Sequence, residues 1–223
     1  IELVKSISDV NTIWLPISKL PLRFNPTPAT PLKVESNDKL LPAIHMTDKR
    51  NFSSLTQSNS FPKVGFALNN PNFTKGICHF KTRVEPSIAL KPFKGLQINL
   101  IDLDSDQSFA DVIKNDACSY SNFLCLESPR EIYHSAVLVN QLDLLITSDH
   151  PYALLGAMMG IKTIAIIPPN PHFMFMREGS ISPWFDNIDI IRSNSWVDFN
   201  SISAAYEAKI DSHLAVLLSD SGK

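Results

Sequence analysis

The clearest pattern of the chain is a pair of short apolar runs joined by a segment of small residues. Leu144–Thr147 and Thr163–Ile167 consist largely of branched apolar residues and predict two buried strands. Between them, Tyr152–Met159 is small and apolar enough to predict a buried helix, which Gly160 would end as a C-cap glycine. Two buried strands joined by a helix of this length predict a right-handed βαβ unit with parallel strands.

Similar strand and helix patterns alternate along the chain from Lys63 onward. Strands that alternate with helices are typical of a doubly wound parallel sheet, so the pattern predicts an α/β fold. The predicted strands are Lys63–Leu68, Leu96–Leu103, Asn122–Leu126, Leu144–Thr147, Thr163–Ile167 and Asn187–Ile191. The predicted helices are Pro86–Phe93, Ser108–Lys114, Pro129–Leu142, Tyr152–Met159 and Ser201–Leu218.

The first 60 residues have a different character. The six prolines between positions 16 and 42 predict extended or irregular backbone instead of long helices. Residues 49–60 are polar and serine-rich, and predict a surface loop that leads into the main domain. We therefore divide the chain into an irregular, proline-rich connector at 1–60 and an α/β domain at 61–223. The absence of a methionine before Ile1 suggests a fragment or a processed product.

Composition and charge narrow the class of protein. A hydrophobic content of 44% fits a folded globular chain, and a net charge of −2 gives no electrostatic case for nucleic acid or an anionic membrane as partner. Cys78, Cys118 and Cys125 lack CxxC spacing, so we predict structural thiols in a reducing compartment. No apolar run reaches the roughly 18 residues of a membrane span, and no signal sequence is recognisable. These features predict a cytoplasmic protein.

Polar residues interrupt the central unit between its first strand and its helix. Ser148, Asp149 and His150 stand at this point, and ligands of α/β proteins bind at the carboxyl ends of parallel strands. Free backbone N–H groups and the helix dipole favour a negatively charged ligand there, so the pattern predicts an anion site. An N-cap role for Asp149 and simple exposure of His150, which precedes a proline, are also compatible with the sequence.

A second polar loop, with Lys75, Lys81 and Arg83, follows the first predicted strand. A solvated loop is one interpretation of these cations. The other is that one or two of them meet a ligand phosphate, because the loop leaves the same edge of the sheet as Asp149. The acidic residues within 104–106 precede the next helix and predict helix caps in preference to metal ligands.

Three segments together resemble the C-terminal half of bacterial glycosyltransferases of the GT-B fold. They are KVGFALNNP at 63–71 with the later Arg83, the central unit at 143–169, and REGSISPWFDNIDIIR at 177–192. The last segment is the most specific, since Arg-Glu, Ser-Pro-Trp and an aromatic residue recur in that order in the family. The resemblance is to heptosyltransferase-like and tetratricopeptide-linked glycosyltransferase-like proteins, and it extends weakly to residues 1–31.

The resemblance implies both a fold and a function. In such enzymes the C-terminal half is a Rossmann-like domain that binds the nucleotide-sugar donor. An N-terminal domain supplies much of the acceptor site and usually the catalytic base, so residues 1–60 would be a connector or the remnant of such a domain. Glycosyl transfer would need no metal and no other cofactor, because cations and helix dipoles can stabilise the leaving diphosphate.

The ligand-binding residues implied by the resemblance divide according to the part of the donor that they would contact. Asp149 would hydrogen-bond the sugar or the ribose, whereas His150 and the cations within 75–83 would face phosphate. Met174 and Trp184 would shape the base pocket, although packing in the core is the alternative for both. The complete set is Asn70, Lys75, Lys81, Arg83, Ser148, Asp149, His150, Met174, Arg177 and Trp184.

The chain also departs from the family pattern. His150 stands where the family usually has threonine, and Leu154 where it has a histidine on the helix. Two functions therefore remain open: a donor-binding glycosyltransferase domain, or a catalytically inactive relative that acts as a binding or assembly module with a partner domain or as a homo-oligomer. An NAD-dependent oxidoreductase and a hydrolase are disfavoured, because the sequence has no GxGxxG after a predicted strand and no GxSxG.

Overall fold

Six parallel strands form a single sheet in the part of the chain that the computed structural model describes. The described residues are 61–68, 84–104, 107–116, 119–120, 122–126, 132–169, 171, 175, 178–182, 184–194 and 200–220. The predicted connector at residues 1–60 lies outside them.

Strands and helices alternate through the described residues, as the sequence predicts, except that the last two strands follow each other without a described helix between them. The strands are β1 Lys63–Ala67, β2 Asn99–Asp102, β3 Asn122–Cys125, β4 Leu144–Thr147, β5 Thr163–Ile167 and β6 Ile188–Arg192. The helices are α1 Pro86–Leu90, α2 Gln107–Asn115, α3 Ile132–Val139, α4 Pro151–Met158 and α5 Ser203–Asp220. Short 3-10 turns at Lys91–Phe93 and Asn200–Ile202 follow α1 and precede α5. None of these described helices has both the length and the apolar character that crossing a membrane requires.

The order of the strands defines the topology. The sheet runs β3-β2-β1-β4-β5-β6, and every neighbouring pair is parallel. In the centre, Val64 of β1 lies opposite Leu100 of β2 on one side and Leu144 of β4 on the other. The chain builds outward from β1 through β2 and β3, then returns to β4 and builds in the other direction. This doubly wound, Rossmann-like order confirms the predicted fold class, and its topological switch point lies between β1 and β4.

The central βαβ unit forms as its apolar pattern predicts. β4 and β5 pair in parallel, and α4 connects them. Gly160 has a φ of +77°, its N–H donates to the carbonyl of Ala157 at 3.1 Å, and the N–H of Ile161 donates to that of Gly156 at 2.9 Å. This pair of hydrogen bonds is a Schellman motif, so the prediction that Gly160 ends the helix is confirmed.

Both faces of the sheet are covered. On one face, Tyr206 of α5 is fully buried, and its hydroxyl donates to the carbonyl of Ala89 in α1 at 2.7 Å. Phe66 of β1 packs in the same cluster, with its ring centroid 5.5 Å from that of Phe93. On the other face, α3 packs against β2 and β4, while α4 packs against β5 and β6 in a third cluster. Burial on both sides explains why these strands are continuous apolar runs without polar alternation.

Three predicted elements are shorter in the structure by three or more residues. The helix predicted at Pro86–Phe93 is α-helical only to Leu90 and continues as a 3-10 turn. The strand predicted at Leu96–Leu103 begins only at Asn99, because the residues before it form turns after Gly95, whose φ is +77°. The helix predicted at Pro129–Leu142 ends at Val139, because the N–H groups of Gln141 and Leu142 donate three residues back in a tighter turn. The apolar pattern continues through these turns, since their side chains also pack against the core. The predicted lengths were therefore wrong.

The edge strand β6 is attached to α5 through Asp189. The carboxylate of Asp189 contacts His213 Nε2 at 2.8 Å, Lys209 Nζ at 3.2 Å and Lys162 Nζ at 3.8 Å. Burial raises the pKa of Asp189, but the hydrogen bond to His213 and the two lysine charges lower it further, so the pKa lies below its usual value. The ionised carboxylate therefore stabilises the folded chain.

Asp189→Asn should remove this stabilisation and its pH dependence. Because the folded pKa lies below the unfolded value of about 3.9, the contribution is present above pH ~4 and is lost as the pH falls through the folded pKa. We expect the free energy of unfolding at pH 7 to fall by ~1–2 kcal/mol, and the acid-induced loss of stability to be smaller than in the wild type. Urea denaturation between pH 7 and pH 3 measures both. Asp211→Asn, at an exposed position of the same helix, is the control, and equal effects in the two variants would contradict this role.

Helix α4 approaches β4 and β5 closely at Gly156. A Cβ atom at this position would lie 2.6 Å from Leu145 Cδ2 and 2.7 Å from Thr163 Oγ1, well inside normal contact distances. Glycine inside a helix costs roughly 0.5–1 kcal/mol relative to alanine. The close contact with both strands is the physical reason for a glycine here, and it sets the distance of α4 from the sheet.

Gly156→Ala should therefore destabilise the fold in spite of its higher helix propensity. We expect the free energy of unfolding to fall by ~1–3 kcal/mol, because α4 must move away from the sheet. In a Leu145→Ala background the penalty should shrink, since the nearest clashing atom is gone. Denaturation of the four proteins of this cycle measures the coupling. An unchanged or raised stability of Gly156→Ala alone would argue against the close approach.

Candidate functional site

The candidate site lies at the carboxyl ends of the strands. Ser148, Asp149 and His150 follow β4 directly, beside the switch point between β1 and β4. The N–H of Ser148 donates to the carbonyl of Ala67 at 3.2 Å, and Thr147 Oγ1 donates to the same carbonyl at 2.9 Å. These bonds hold the start of the loop against the end of β1. The three residues thus lie between a parallel strand and a helix, as the sequence predicts.

His150 is the N-cap of α4. Its backbone is extended, with φ −133° and ψ 149°, and its Nδ1 accepts a hydrogen bond from the N–H of Tyr152 at 3.1 Å. The imidazole also stacks on the ring of Tyr152, with centroids 5.1 Å apart and an interplanar angle of 12°. The capping role that the sequence left open for Asp149 therefore belongs to the next residue.

This cap changes the predicted basis of anion binding. Pro151 at the first helical position has no N–H. The N–H of Tyr152 is bound to His150 Nδ1, and the N–H of Ala153 donates to the carbonyl of His150 at 2.9 Å. The prediction that free N–H groups of this helix bind an anion is therefore wrong for its first three residues, although the helix dipole remains.

His150 carries no positive charge at neutral pH. Burial lowers its pKa to about 4, so the imidazole is neutral at pH 7. Because Nδ1 accepts a hydrogen bond, the single proton of the neutral ring lies on Nε2. This atom faces Asp104 Oδ1 at 3.6 Å, across the end of β1 in the order of the sheet. The contact links the end of β2 to the start of α4.

The structure adds acidic residues that the sequence pattern did not assign to the site. Asp102, the last residue of β2, is 1% exposed, and its carboxylate accepts hydrogen bonds from the N–H of Asp104 at 2.9 Å and from Cys125 Sγ at 3.5 Å. The side chain of Asp104 is only 5% exposed beside His150. The sequence contains a signal for Asp102, because this residue ends the apolar run of β2, and β2 adjoins β1 in a doubly wound sheet. The predicted role of residues 104–106 as helix caps does not include this contact of Asp104 with His150.

Trp184 packs against the hydrophobic core. It lies against the cluster formed by α4, β5 and β6, in which Phe175 is 4% exposed. Ser182 Oγ accepts hydrogen bonds from the N–H of Trp184 at 3.2 Å and from that of Phe185 at 3.3 Å. The indole Nε1 is buried and has no acceptor among the described residues. Trp184 thus packs against the core, which is one of the two alternatives that the sequence left open.

The structure brings together only part of the predicted set. Ser148, Asp149 and His150 share one loop, and Trp184 belongs to the cluster beneath α4. The remaining predicted ligand residues lie outside the described part of the chain: Asn70, Lys75, Lys81, Arg83, Met174 and Arg177.

The sheet order and the loop at its switch point define a Rossmann-like domain, the class of fold that forms one half of a GT-B glycosyltransferase. Solved structures share this fold. The chain is similar to the crystal structure of a glycosyl transferase family 9 protein from Veillonella parvula DSM 2008, with a TM-score of 0.57 and 13% identity over 85% of this chain and 54% of that chain. It is similar to E. coli ADP-heptose LPS heptosyltransferase II, with a TM-score of 0.51 and 13% identity over 79% of this chain and 53% of that one.

These similarities confirm the fold that the resemblance in sequence implied. At 13% identity they establish architecture, and the chain spans about half the length of the two structures. No protein-family model and no curated protein matches the chain.

The neutral, capping state of His150 has a measurable consequence for stability. The unfolded chain binds a proton at this residue near pH 6.5 and the folded chain only near pH 4, so lowering the pH across this window favours unfolding. We expect a loss of up to ~1.4 kcal/mol per pH unit from this group. His150→Asn keeps a good N-cap without a titrating side chain, and its stability should fall less over the same window.

Denaturation of the wild type and of His150→Asn at pH 7, 6, 5 and 4 measures the difference in slope. His150→Ala, which lacks the cap, should be less stable by about 1 kcal/mol at pH 7. Parallel pH profiles for the wild type and His150→Asn would show that the imidazole is not held neutral by the fold.

Proposed function

We propose that the domain binds a nucleotide-sugar donor at the carboxyl ends of β1, β2 and β4 and serves in glycosyl transfer. The observation that carries the proposal is the position of the 148–150 loop at the switch point, where doubly wound sheets bind their ligands. The fold shared with a glycosyl transferase and with an enzyme named for ADP-heptose supports this class of ligand. In GT-B enzymes a second domain supplies much of the acceptor site, so the contribution of this domain is donor binding.

The described part of the site suits the hydroxyl groups of ribose or sugar. Asp149 follows β4 and Asp104 follows β2, on the two sides of β1 in the order of the sheet. Ionised carboxylates only accept hydrogen bonds, and hydroxyl groups donate them. Asp149 accordingly binds a hydroxyl group of the donor, and Asp104 supports this edge through His150.

The positive charge for the diphosphate comes from two loops. Lys75, Lys81 and Arg83 follow β1 in the sequence, and Arg177 follows β5. A diphosphate needs positively charged partners, because the carboxylates of Asp104 and Asp149 at the carboxyl ends of the strands repel it. Helix α4 adds the partial positive charge of its N-terminus. His150 acts as the cap that fixes α4 and meets the phosphates as a neutral group.

The base and the remaining polar contacts complete the proposed site. Met174 and Trp184 form the walls of the base pocket, because the faces of a nucleobase pack well against aromatic and thioether side chains. Asn70, after β1, and Ser148, after β4, are the further polar contacts.

A binding experiment tests this function directly. The full chain is titrated with ADP, UDP, GDP and CDP by calorimetry and by thermal shift, and at least one of them should stabilise it, by ~2.7 kcal/mol at one hundred times its Kd. Asp149→Asn should weaken binding of that nucleotide about 10- to 100-fold, since a hydrogen bond to a charged group is worth about 1.5–3 kcal/mol. Asp211→Asn, the same change at an exposed position of α5, should bind as the wild type does. If no nucleotide binds, or if the two variants bind equally well, the proposed site is wrong.

A further inference from the structure

Three hydrogen bonds from Arg192 hold the loop after β5 against the end of β6. Arg192 is the last residue of β6 and pairs with Ile167, the last residue of β5. Its Nε donates to the carbonyl of Gly179 at 2.6 Å, and its Nη2 donates to the carbonyls of Glu178 at 3.0 Å and of Phe175. All three acceptors fall within five residues, and we call this set of bonds the Arg192 clamp.

Neighbouring contacts fix both ends of the clamped segment. The carbonyl of Ser180 accepts from the N–H of Ile190 in β6 at 3.0 Å, so residues 178, 179 and 180 all present their carbonyls to β6. Gly179 has a φ of +90°, a conformation that favours glycine. At the other end, the side chain of Phe175 is 4% exposed in the cluster beneath α4. Specific bonds therefore fix the described residues of this segment, 175 and 178–180.

The chemistry of the clamp requires an arginine. A guanidinium presents five N–H donors in a rigid planar fork, whereas a lysine ammonium is a compact charge with three rotating donors. Only the fork can reach three carbonyls of one loop in a fixed geometry. Donors that are committed to backbone carbonyls are not available to a phosphate group.

The clamp lies at the edge of the sheet that carries the proposed nucleotide site. Strands lie about 4.8 Å apart, so β6 ends roughly 10 Å from β4 and its loop. Strands β4, β5 and β6 are parallel, so the loops that follow β4 and β5 leave the same edge of the sheet. Met174 and Arg177, two predicted donor contacts, adjoin clamped residues in the sequence.

We infer that Arg192 is a positioning residue, which holds Phe175, Glu178 and Gly179 beside the nucleotide site through its Nε and Nη2 donors. The inference rests on the proposed function for the identity of that site. The role depends on the geometry of the guanidinium and not on its charge alone. We therefore expect that lysine, which carries the same charge, cannot replace Arg192.

The test uses the full chain, with ADP as the probe, and compares Arg192→Lys with Arg192→Ala. Amide hydrogen exchange without ADP reports on residues 175–180, and calorimetry reports on ADP affinity. We expect exchange in this segment to rise at least tenfold, and ADP affinity to fall at least tenfold, in both variants alike. Lys114→Ala removes an exposed positive charge on α2 and should change neither quantity.

Gly179→Ala provides a perturbation that leaves the charge intact. Its backbone strain should loosen the same segment and lower ADP affinity in the same direction, although a Cβ atom there meets no neighbour within 4 Å. If Arg192→Ala fails to fold, Arg192→Lys and Gly179→Ala decide the outcome.

The possible results separate the inference from the function on which it rests. Full ADP affinity in Arg192→Lys, together with its loss in Arg192→Ala, would assign a role to the charge and overturn the inference. Unchanged exchange at residues 175–180 would overturn the clamp even where ADP binds. Failure of the wild type to bind any nucleotide would instead overturn the proposed function, and the exchange data would still decide whether Arg192 orders the loop.

Discussion

The parallel pairing of β1 with β4 is the constraint on which the rest of the structure depends. It places two strands side by side whose following helices cover opposite faces of the sheet, because α1 packs in the cluster of Tyr206 and α4 packs beneath β5 and β6. In doubly wound sheets such a pair of strands leaves a crevice at its carboxyl ends. Gly65 in β1 leaves room for the side chain of Leu142, since a Cβ atom there would lie 2.4 Å from Leu142 Cδ1.

The acidic residues and the neutral histidine around this crevice determine which ligand groups it can bind. Asp104 and Asp149 follow two of the central strands, and the histidine between them in space is neutral and bound to the backbone. Such a surface accepts hydrogen bonds from hydroxyl groups and opposes phosphate. A nucleotide-sugar site, as proposed for this scaffold, would take its positive charge from lysine and arginine side chains of the loops and from the N-terminus of α4.

The local sequence pattern was sufficient to predict the central βαβ unit. Its strands, Leu144–Thr147 and Thr163–Ile167, are buried on both faces, and Gly160 ends α4 by a local motif. Local preference failed at the cap of α4. Serine, threonine, aspartate and asparagine dominate N-caps, and nothing in the sequence signals that a buried imidazole takes this role. The contacts of Asp104 and Arg192 join residues distant in sequence, so they follow only from the order of the strands.

Tyr206 illustrates how late the core is completed. Its hydroxyl is bonded to Ala89, 117 positions earlier, and its ring fills the cluster above β1 and β4. A nascent chain that has already exposed all six strands still lacks this side chain until α5 emerges from the ribosome. Folding of the domain is therefore completed only after most of it has been synthesised, and the uncovered apolar face of the sheet is a natural substrate for chaperones during that interval.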